Sequence, residues 1–211
     1  MFYSGMKESP RPTFIDLFAG IGGFHEAFHG LGAECVMACE RDEHARMSYK
    51  AFHEMKLPEP ALFFSECKDE DKDLWRFPRD ITKITKTHGK NHKLNDEEIA
   101  ESIDHIRCRI KKFSLLCAGF PCQPFSHAGK RLGFNDARGT LFYDVALILK
   151  ARRPGAFFLE NVRGLIRHGY NEEEPVTLNG EELRGVGSTL GRILNVLFSA
   201  DPEVGLGYHY P

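Results

Sequence analysis

The sequence predicts an α/β fold with a doubly wound, mostly parallel sheet, and three observations lead to this prediction. Short apolar runs alternate with segments of helical periodicity from residue 13 onward. A glycine-rich turn follows the first apolar run directly. Each later distinctive motif also comes directly after an apolar run, where ligand-binding loops lie in doubly wound sheets.

The composition limits the possible function classes. The chain has 211 residues, of which 42% are hydrophobic and 27% charged, with a net charge of −2. No apolar run reaches the roughly 18 residues of a membrane span, and residues 1–12 lack the core of a signal peptide. We therefore expect a cytoplasmic protein with no membrane partner, a tail at 1–12 and one domain at 13–211. Because the net charge is close to zero, the chain as a whole does not attract nucleic acid, and any contact with nucleic acid must be local or come from a partner.

The six cysteines contain no C-x-x-C pair. Together with the missing signal peptide, this spacing favours reduced thiols over a disulfide framework or a zinc site. We expect no metal ion in this protein.

The first elements form a βαβ unit. Residues 13–18 predict a strand, and residues 24–28 predict a helix that Gly30 and Gly32 end. Residues 34–40 predict a second strand. Asp42 is placed to cap a helix over residues 43–55.

The remaining elements follow the same alternation, although residues 58–95 give only a weak pattern with a short strand end at 79–81. The further predictions are a helix capped by Asn95, a strand at 113–118, a helical stripe from Leu141, a strand at 156–159, a helix capped by Ser188 and the start of a strand near 205–211.

The first candidate site is Asp16-x-Phe18-x-Gly20-x-Gly22-Gly23, with Glu40 closing the next strand. Glycines let the backbone approach a ligand, and a carboxylate at the second strand end can bind both ribose hydroxyls of an adenosine. A dinucleotide motif would have a third glycine where this chain has His25, which favours a nucleoside without a pyrophosphate. A simple tight turn is an equally good interpretation of this motif alone.

The second candidate site is Gly119-Phe120-Pro121-Cys122-Gln123-Pro124-Phe125-Ser126, directly after a buried-looking strand. Two prolines hold the loop stiff around one thiol, which suits a nucleophile. An inert buried cysteine is the alternative. A phosphatase motif is excluded because the sixth residue after Cys122 is Ala128, and no histidine stands out as a protease partner.

The third candidate site is Glu160-Asn161-Val162, after the apolar residues 157–159. Such neighbours predict a partly buried carboxyl group that can act as a general acid. A solvated strand end is the alternative.

Together the three motifs resemble the DNA (cytosine-5) methyltransferase family, bacterial type. The match comprises FIDLFAGIGG at 14–23, GFPCQPFS at 119–126, RGTLF at 138–142 and ENV at 160–162. The resemblance implies an S-adenosylmethionine-dependent methyltransferase fold of the Rossmann-like type. It further implies methyl transfer to C5 of cytosine in DNA, with S-adenosylhomocysteine as product, as in a restriction-modification system.

The resemblance also assigns roles to individual residues. Cys122 is the nucleophile that adds to cytosine C6, and Glu160 protonates N3. The cofactor-binding residues it implies are Phe18, Ala19, Gly20, Gly22, Gly23, Glu40, Asp80, Ile81, Gly119, Pro121 and Leu141. The residues it implies for double-stranded DNA and its flipped cytosine are Gln123, Ser126, Lys130, Arg131, Asn161 and Arg163. Among these Arg163, together with Arg167, is a weaker candidate for phosphate contacts.

The family continues with a Q-x-R-x-R motif, a target-recognition region and a returning helix, none of which occurs before Pro211. We therefore expect a shortened or disrupted product, or one half of a split enzyme whose second chain carries those motifs. Two other functions stay open. One is a tRNA cytosine-5 methyltransferase, and the other is a non-catalytic S-adenosylmethionine-binding subunit.

Overall fold

Four parallel strands form the central sheet. The structure is a computed structural model that describes residues 11–53, 77–87, 94–121, 141–201 and 205–209. The strands are β1 Thr13–Leu17, β2 Glu34–Cys39, β3 Leu115–Gly119 and β4 Ala156–Glu160, in the order β2-β1-β3-β4. A small antiparallel hairpin, β5 Thr177–Leu178 with β6 Glu181–Glu182, lies apart from this sheet. The α/β parallel architecture is the predicted one.

Helices connect the strands. They are α1 Gly23–Gly30, α2 Glu43–His53, α3 Ile81–Ile84, α4 Asp96–Arg109, α5 Leu141–Arg152 and α6 Ser188–Phe198. A short 3-10 turn follows β4 at Arg163–Leu165. Within the described ranges, no helix has the length and apolar character needed to cross a membrane.

Alternate side chains of the strands build two cores. Phe14 of β1, Cys117 of β3 and Tyr49 of α2 are buried on one face of the sheet. Ile15 of β1 and Leu116 of β3 point to the other face, into a larger core that includes residues of α3, α4, α5 and α6. Both faces of β1 and β3 are therefore covered, as parallel sheets require.

The strand order creates a crevice between β1 and β3. From β1 the chain moves outward to β2, and later β3 adds to the opposite side of β1. Ligands of doubly wound sheets bind at the carboxyl ends of the strands at such a reversal. The loops after β1, β2, β3 and β4 all lie at that end, as the sequence predicts.

Most predicted elements are present, and two of the three predicted helix caps are correct. Asn95 forms a full capping box with Glu98 at the start of α4, and Asp42 Oδ1 accepts from the Ala45 N–H, 2.8 Å away. Ser188 is the first residue of α6, and its N-cap is Gly187, so the Ser188 cap was wrong. A Cβ at Gly187 would stand 2.2 Å from the His168 carbonyl oxygen, so only glycine fits there.

Two other predictions also differ from the structure. The strand end at residues 79–81 is wrong because Asp80 caps the short helix α3, where its side chain accepts from the Thr82 N–H. Residues 205–209 do not form a strand. They instead run beside the end of α6, with the Tyr208 N–H bonded to the Leu197 carbonyl at 3.0 Å.

Candidate functional site

The turn after β1 is built from left-handed residues. Phe18, Gly20 and Gly22 have φ values of 57°, 55° and 97°, so the chain reverses sharply between β1 and α1. The Ala19 N–H binds the Cys39 carbonyl at 3.0 Å, which ties the turn to the end of β2. Ala19 and Gly22 are buried, Phe18 and Gly20 are half-buried, and Gly23 is exposed. Phe18, Gly20 and Gly23 are therefore the members of this predicted set that a ligand can reach.

Gly22 is packed against α2. A Cβ at this position would lie 2.4 Å from two atoms of the His53 ring, in addition to the unfavourable φ. His53 stacks on His25 at 4.4 Å, and His25 Nδ1 is 2.6 Å from the Tyr49 hydroxyl. The glycine turn thus packs against a buried cluster of His25, Tyr49 and His53, which fixes its position relative to the sheet.

Glu40 connects β2 to this turn. Its Oε2 accepts from the Gly20 N–H at 2.8 Å, and its Oε1 accepts from the Asp42 N–H at 2.7 Å. The side chain is half-buried. A carboxylate has about four acceptor positions, so two N–H donors leave capacity for further hydroxyl donors.

Arg46 also belongs to this site, although the sequence does not indicate it. Its guanidinium donates to the Glu40 carbonyl at 3.0 Å and to the Pro78 carbonyl at 3.3 Å, and it lies over the Phe77 ring. It therefore joins α2 to the segment before α3. No sequence signal distinguishes Arg46 from the exposed basic residues of other helices.

Asp80 and Ile81 lie at the start of α3, directly after the segment that Arg46 contacts. Asp80 is half-buried, and its Oδ1 accepts from both the N–H and the hydroxyl of Thr82, each at 2.9 Å. The Ile81 side chain is buried in the core on the α4 and α5 side. The Ile81 side chain is therefore not accessible to a ligand.

Asp16 is a buried carboxyl group beneath the glycine turn. Burial raises the pKa of Asp16 to about 7, the His25 main chain partly offsets this rise, and the nearby Glu40 charge adds to it. No hydrogen bond of normal geometry reaches either oxygen within the described part of the chain. The sequence motif contains Asp16, but nothing in the sequence indicates that its carboxyl group titrates near neutral pH.

The ends of β3 and β4 bring the second and third motifs together. Gly119 is paired with Glu160 across the strands, and a Cβ at Gly119 would stand 3.3 Å from Glu160 Oε2. Asn161 Nδ2 donates to the Phe120 carbonyl at 2.9 Å, which ties the two loops to each other. Glu160 is exposed, which agrees with the alternative of a solvated strand end and contradicts a partly buried carboxyl group. Burial was expected from apolar neighbours in the sequence, but in the described chain β4 pairs only with β3, and its residues alternate between exposed and half-buried.

The other predicted residues are divided between described and undescribed parts of the chain. Pro121 and Leu141 are half-buried near the same strand ends, whereas Arg163 is exposed on the 3-10 turn. Arg167 lies over the Tyr170 ring at 5.3 Å. Cys122, Gln123, Ser126, Lys130 and Arg131 lie outside the described residues.

A groove runs from Glu160 between β4 and α6. This cavity has a volume of about 320 Å³ and is lined by β4, the 3-10 turn and α6. Its polar rim includes Glu160, Asn161 and Arg163, and its floor includes the apolar residues Phe157, Leu159 and Leu197.

A glycine turn and a strand-end carboxylate at the switch point of a parallel sheet are features of the Rossmann-like class of α/β proteins. The family model for C-5 cytosine-specific DNA methylases matches residues 12–81 and 76–187. The chain belongs to this family.

Individual relatives agree with the family model. The type II methyltransferase M.HpaII of Haemophilus parainfluenzae is 38% identical over 94% of this chain and 39% of its own length. A DNA-cytosine methyltransferase of Escherichia coli K12 is 43% identical over 74% of this chain and 30% of its own length. The type II methyltransferase M.HhaI of Haemophilus parahaemolyticus is 35% identical over 97% of this chain and 47% of its own length. The chain therefore spans less than half the length of these relatives.

A solved structure also resembles the chain. The Dnmt2 methyltransferase of S. pombe matches 73% of this chain and 37% of its own, with 22% sequence identity and a TM-score of 0.41.

Proposed function

We propose that this chain is the catalytic part of a DNA (cytosine-5) methyltransferase that uses S-adenosylmethionine and serves a restriction-modification system. The observation that carries the proposal is the pairing of Gly119 with Glu160 at the carboxyl ends of β3 and β4. It brings a strand-end carboxylate next to the loop that continues into Pro121-Cys122. Family membership supports the same activity.

The site fits S-adenosylmethionine, which supplies an electrophilic methyl group when bound. Glu40 retains acceptor positions for ribose hydroxyls beyond its two N–H donors. No described atom lies within 4 Å of the position that a Cβ would take at Gly20, so the space above the turn is open. Phe18, Gly23, Leu141 and the main chain at Asp80 and Ile81 would form the remaining walls.

In this proposal the Cys122 thiolate adds to cytosine C6, which makes C5 nucleophilic enough to take the methyl group. Glu160 gives a proton to N3, so negative charge does not accumulate on the ring. The C5 proton then leaves to a base, the N3 proton returns to Glu160, and the C6–S bond breaks to release the Cys122 thiolate. Asn161 orients the Phe120 carbonyl and has no part in the proton transfers.

The proposed substrate is double-stranded DNA with the target cytosine flipped out, because C5 and C6 cannot be reached from both faces within a stacked duplex. Gln123, Ser126, Lys130 and Arg131 would close on the DNA, and exposed Arg163 is placed at the rim beside Glu160. The net charge of −2 provides no general attraction to DNA. These local contacts would therefore need a further DNA-binding surface.

We further propose that this surface comes from polypeptide that packs against β4, either in the same product or on a second chain. The relatives cited above are more than twice as long as the aligned region. The exposed side of β4 and the apolar groove beside it support this proposal.

The test is a methylation assay with and without a segment from a relative that carries the Q-x-R-x-R motif. We expect incorporation into duplex DNA only when the segment is present, and trapping of the chain on 5-fluorocytosine DNA. Cys122→Ser should lower turnover by several orders of magnitude, since a hydroxyl is far less ionised than a thiol. Glu160→Gln should also be severely slowed.

The matched control is Cys108→Ser, because Cys108 is an exposed thiol on α4, away from the strand ends. It should retain full activity. Near-normal methylation by Cys122→Ser would show that Cys122 is not the nucleophile. Preferential methylation of tRNA would indicate the RNA enzyme, and S-adenosylmethionine binding without any trapping would indicate a non-catalytic subunit.

A further inference from the structure

A second buried carboxyl group, Asp144 of α5, lies behind the adenosine side of the proposed cofactor site. It is fully buried, and its Oδ1 accepts from the Thr85 hydroxyl at 2.5 Å and from the Thr87 hydroxyl at 2.7 Å. Both hydroxyls are placed to donate to the carboxylate. Asp144 thus holds two residues of the segment that follows α3.

The held segment has an unfavourable backbone conformation. Lys86, between the two threonines, has a φ of 58°, a region that side chains other than glycine rarely adopt. The left-handed residue turns the chain so that the two threonine hydroxyls reach the same oxygen atom. The Lys86 ammonium pairs with Glu101 of α4 at 2.9 Å. The turn at 85–87 is therefore held from α5 by Asp144 and from α4 by Glu101.

This turn is connected directly to residues of the proposed cofactor site. The Thr85 N–H donates to the Ile81 carbonyl at 3.0 Å, so a shift of Thr85 moves the start of α3. On the other side, Asp144 lies one helical turn after Leu141 on the same face of α5. The Asp144 carboxylate is thus linked to two residues of the proposed cofactor site. It is linked to Ile81 by hydrogen bonds through Thr85, and to Leu141 along helix α5.

Asp144 lies in an apolar environment, where its carboxylate contributes hydrogen bonds and not packing. Ile84 of α3 and Val145 and Ile148 of α5 are buried in the same core. An apolar side chain would fill such a position without the desolvation cost of a carboxyl group. The two directional bonds to Thr85 and Thr87 are what an apolar side chain cannot supply.

We propose that Asp144 is a positioning residue that fixes the distance between α3 and α5, and so sets the affinity of the site for the adenosine part of its ligand. The ligand assignment rests on the proposed function, whereas the effect on the turn at 85–87 does not. Asp144 does not touch the ligand in this proposal. It acts through the Thr85 and Thr87 hydroxyls.

The test uses Thr85→Val and Thr87→Val, each of which removes one hydroxyl and keeps the side-chain shape. The matched control is Thr189→Val, because Thr189 is also buried and its hydroxyl is bonded to His168 at 2.7 Å, but it lies on α6. Calorimetry with S-adenosylhomocysteine, well below the unfolding temperature, measures affinity. Hydrogen exchange of the Thr85 amide in the free chain measures the turn.

We expect each of the two valine variants to bind S-adenosylhomocysteine about tenfold more weakly or worse. We also expect their Thr85 amide to exchange at least about tenfold faster. Thr189→Val should match the unchanged chain in both measurements, whatever its unfolding temperature. Asp144→Asn keeps an acceptor oxygen for the threonines, and should therefore retain more affinity than Asp144→Ala.

Unchanged affinity and exchange in both valine variants would overturn the proposal. Faster exchange with unchanged affinity would overturn the link to the ligand, since the turn would then move without consequence for the site. If the unchanged chain itself does not bind S-adenosylhomocysteine, the cofactor assignment fails. The exchange rates alone then decide whether Asp144 holds the turn.

Discussion

In the part of the sheet that the structure describes, β2 and β4 are the outer strands, and both are apolar, yet their surroundings differ. In β2 every residue from Cys35 to Cys39 is buried, although β1 is its only strand partner in the described chain. In β4 exposed and half-buried residues alternate, and Phe158 is 50% exposed. β2 is covered by α1, by Tyr49 of α2 and by the segment before α3, where the Glu40 N–H binds the Pro78 carbonyl.

The difference shows that an apolar strand is buried only where another part of the chain packs on it. The run AFFLE in β4 has the continuous apolar character of strands covered on both faces. Its outer edge pairs with no strand among the described residues. Open apolar edges favour association with other polypeptides, which is the behaviour we expect of β4.

The largest expected difference between covered and open strands concerns a pair of phenylalanines. Phe14 of β1 and Phe158 of β4 both contact the Phe28 ring, but Phe14 is fully buried. Phe14→Ala should lower the free energy of unfolding by roughly 3–5 kcal/mol because it leaves a cavity. Phe158→Ala should cost about 1 kcal/mol or less. Urea unfolding measures both, and equal losses would contradict the comparison.

The next effect concerns the glycine turn on the covered side of the sheet. Gly22→Ala should destabilise the chain by roughly 2 kcal/mol or more, since it combines a left-handed φ with overlap on His53. Gly23→Ala is the matched control, because its Cβ meets no described atom within 4 Å. That neighbouring variant should change stability by no more than about 0.5 kcal/mol, in the stabilising direction. Similar unfolding midpoints for the two variants would contradict this account of the turn.

A third prediction concerns the pH dependence of stability, because burial gives Asp16 an unusually high pKa. Its pKa is raised from 3.8 to about 7, so between these values the folded chain holds a proton that the unfolded chain has lost. Its contribution to stability is therefore fully present below the unfolded pKa and is lost as the pH rises towards 7. The slope is about 1.4 kcal/mol per pH unit.

Asp16→Asn should remove this contribution, because the amide does not titrate. The quantity to measure is the difference in unfolding free energy between the unchanged chain and Asp16→Asn at pH 5, 6, 7 and 8. We expect the variant to gain in relative stability as the pH rises to about 7, and the difference to level off above it. A difference independent of pH would show that Asp16 does not titrate in this range.

The smallest expected effect concerns self-association through the open edge. Phe158→Lys should weaken self-association about tenfold, because it places a charge on the exposed face of β4. Phe52→Lys is the matched control, since Phe52 is 69% exposed on α2, on the covered side. Sedimentation velocity at several concentrations measures the effect. Equal behaviour of the two lysine variants would place the association surface elsewhere.

Much of the fold follows from local sequence patterns. Periodicity predicted the four sheet strands and most long helices, and the positions of the glycine turn, Glu40, Gly119 and Glu160 at strand ends follow from them. The short helix α3 was missed because four residues are too few to show a helical period. The β5–β6 hairpin was missed for the same reason, as each strand has only two residues.

For the candidate site, the sequence predicts only which residues lie at the strand ends. The sequence indicates that Glu40 follows β2, but not that its carboxylate binds the Gly20 N–H. It gave no indication of Arg46, which acts through the carbonyl groups of Glu40 and Pro78. Such contacts join residues that are distant along the chain, and no local pattern encodes them.

The sequence by itself therefore determined the order of elements, the parallel sheet and the motifs at its carboxyl edge, because these depend on the spacing of apolar residues and on glycine. Only the tertiary structure decided the pKa of Asp16, the attachment of Thr85 and Thr87 to Asp144, and the exposure of Glu160. It also decided that β2 is covered and β4 is open. Burial, and every electrostatic effect that depends on it, is set by what packs against a residue from elsewhere in the chain.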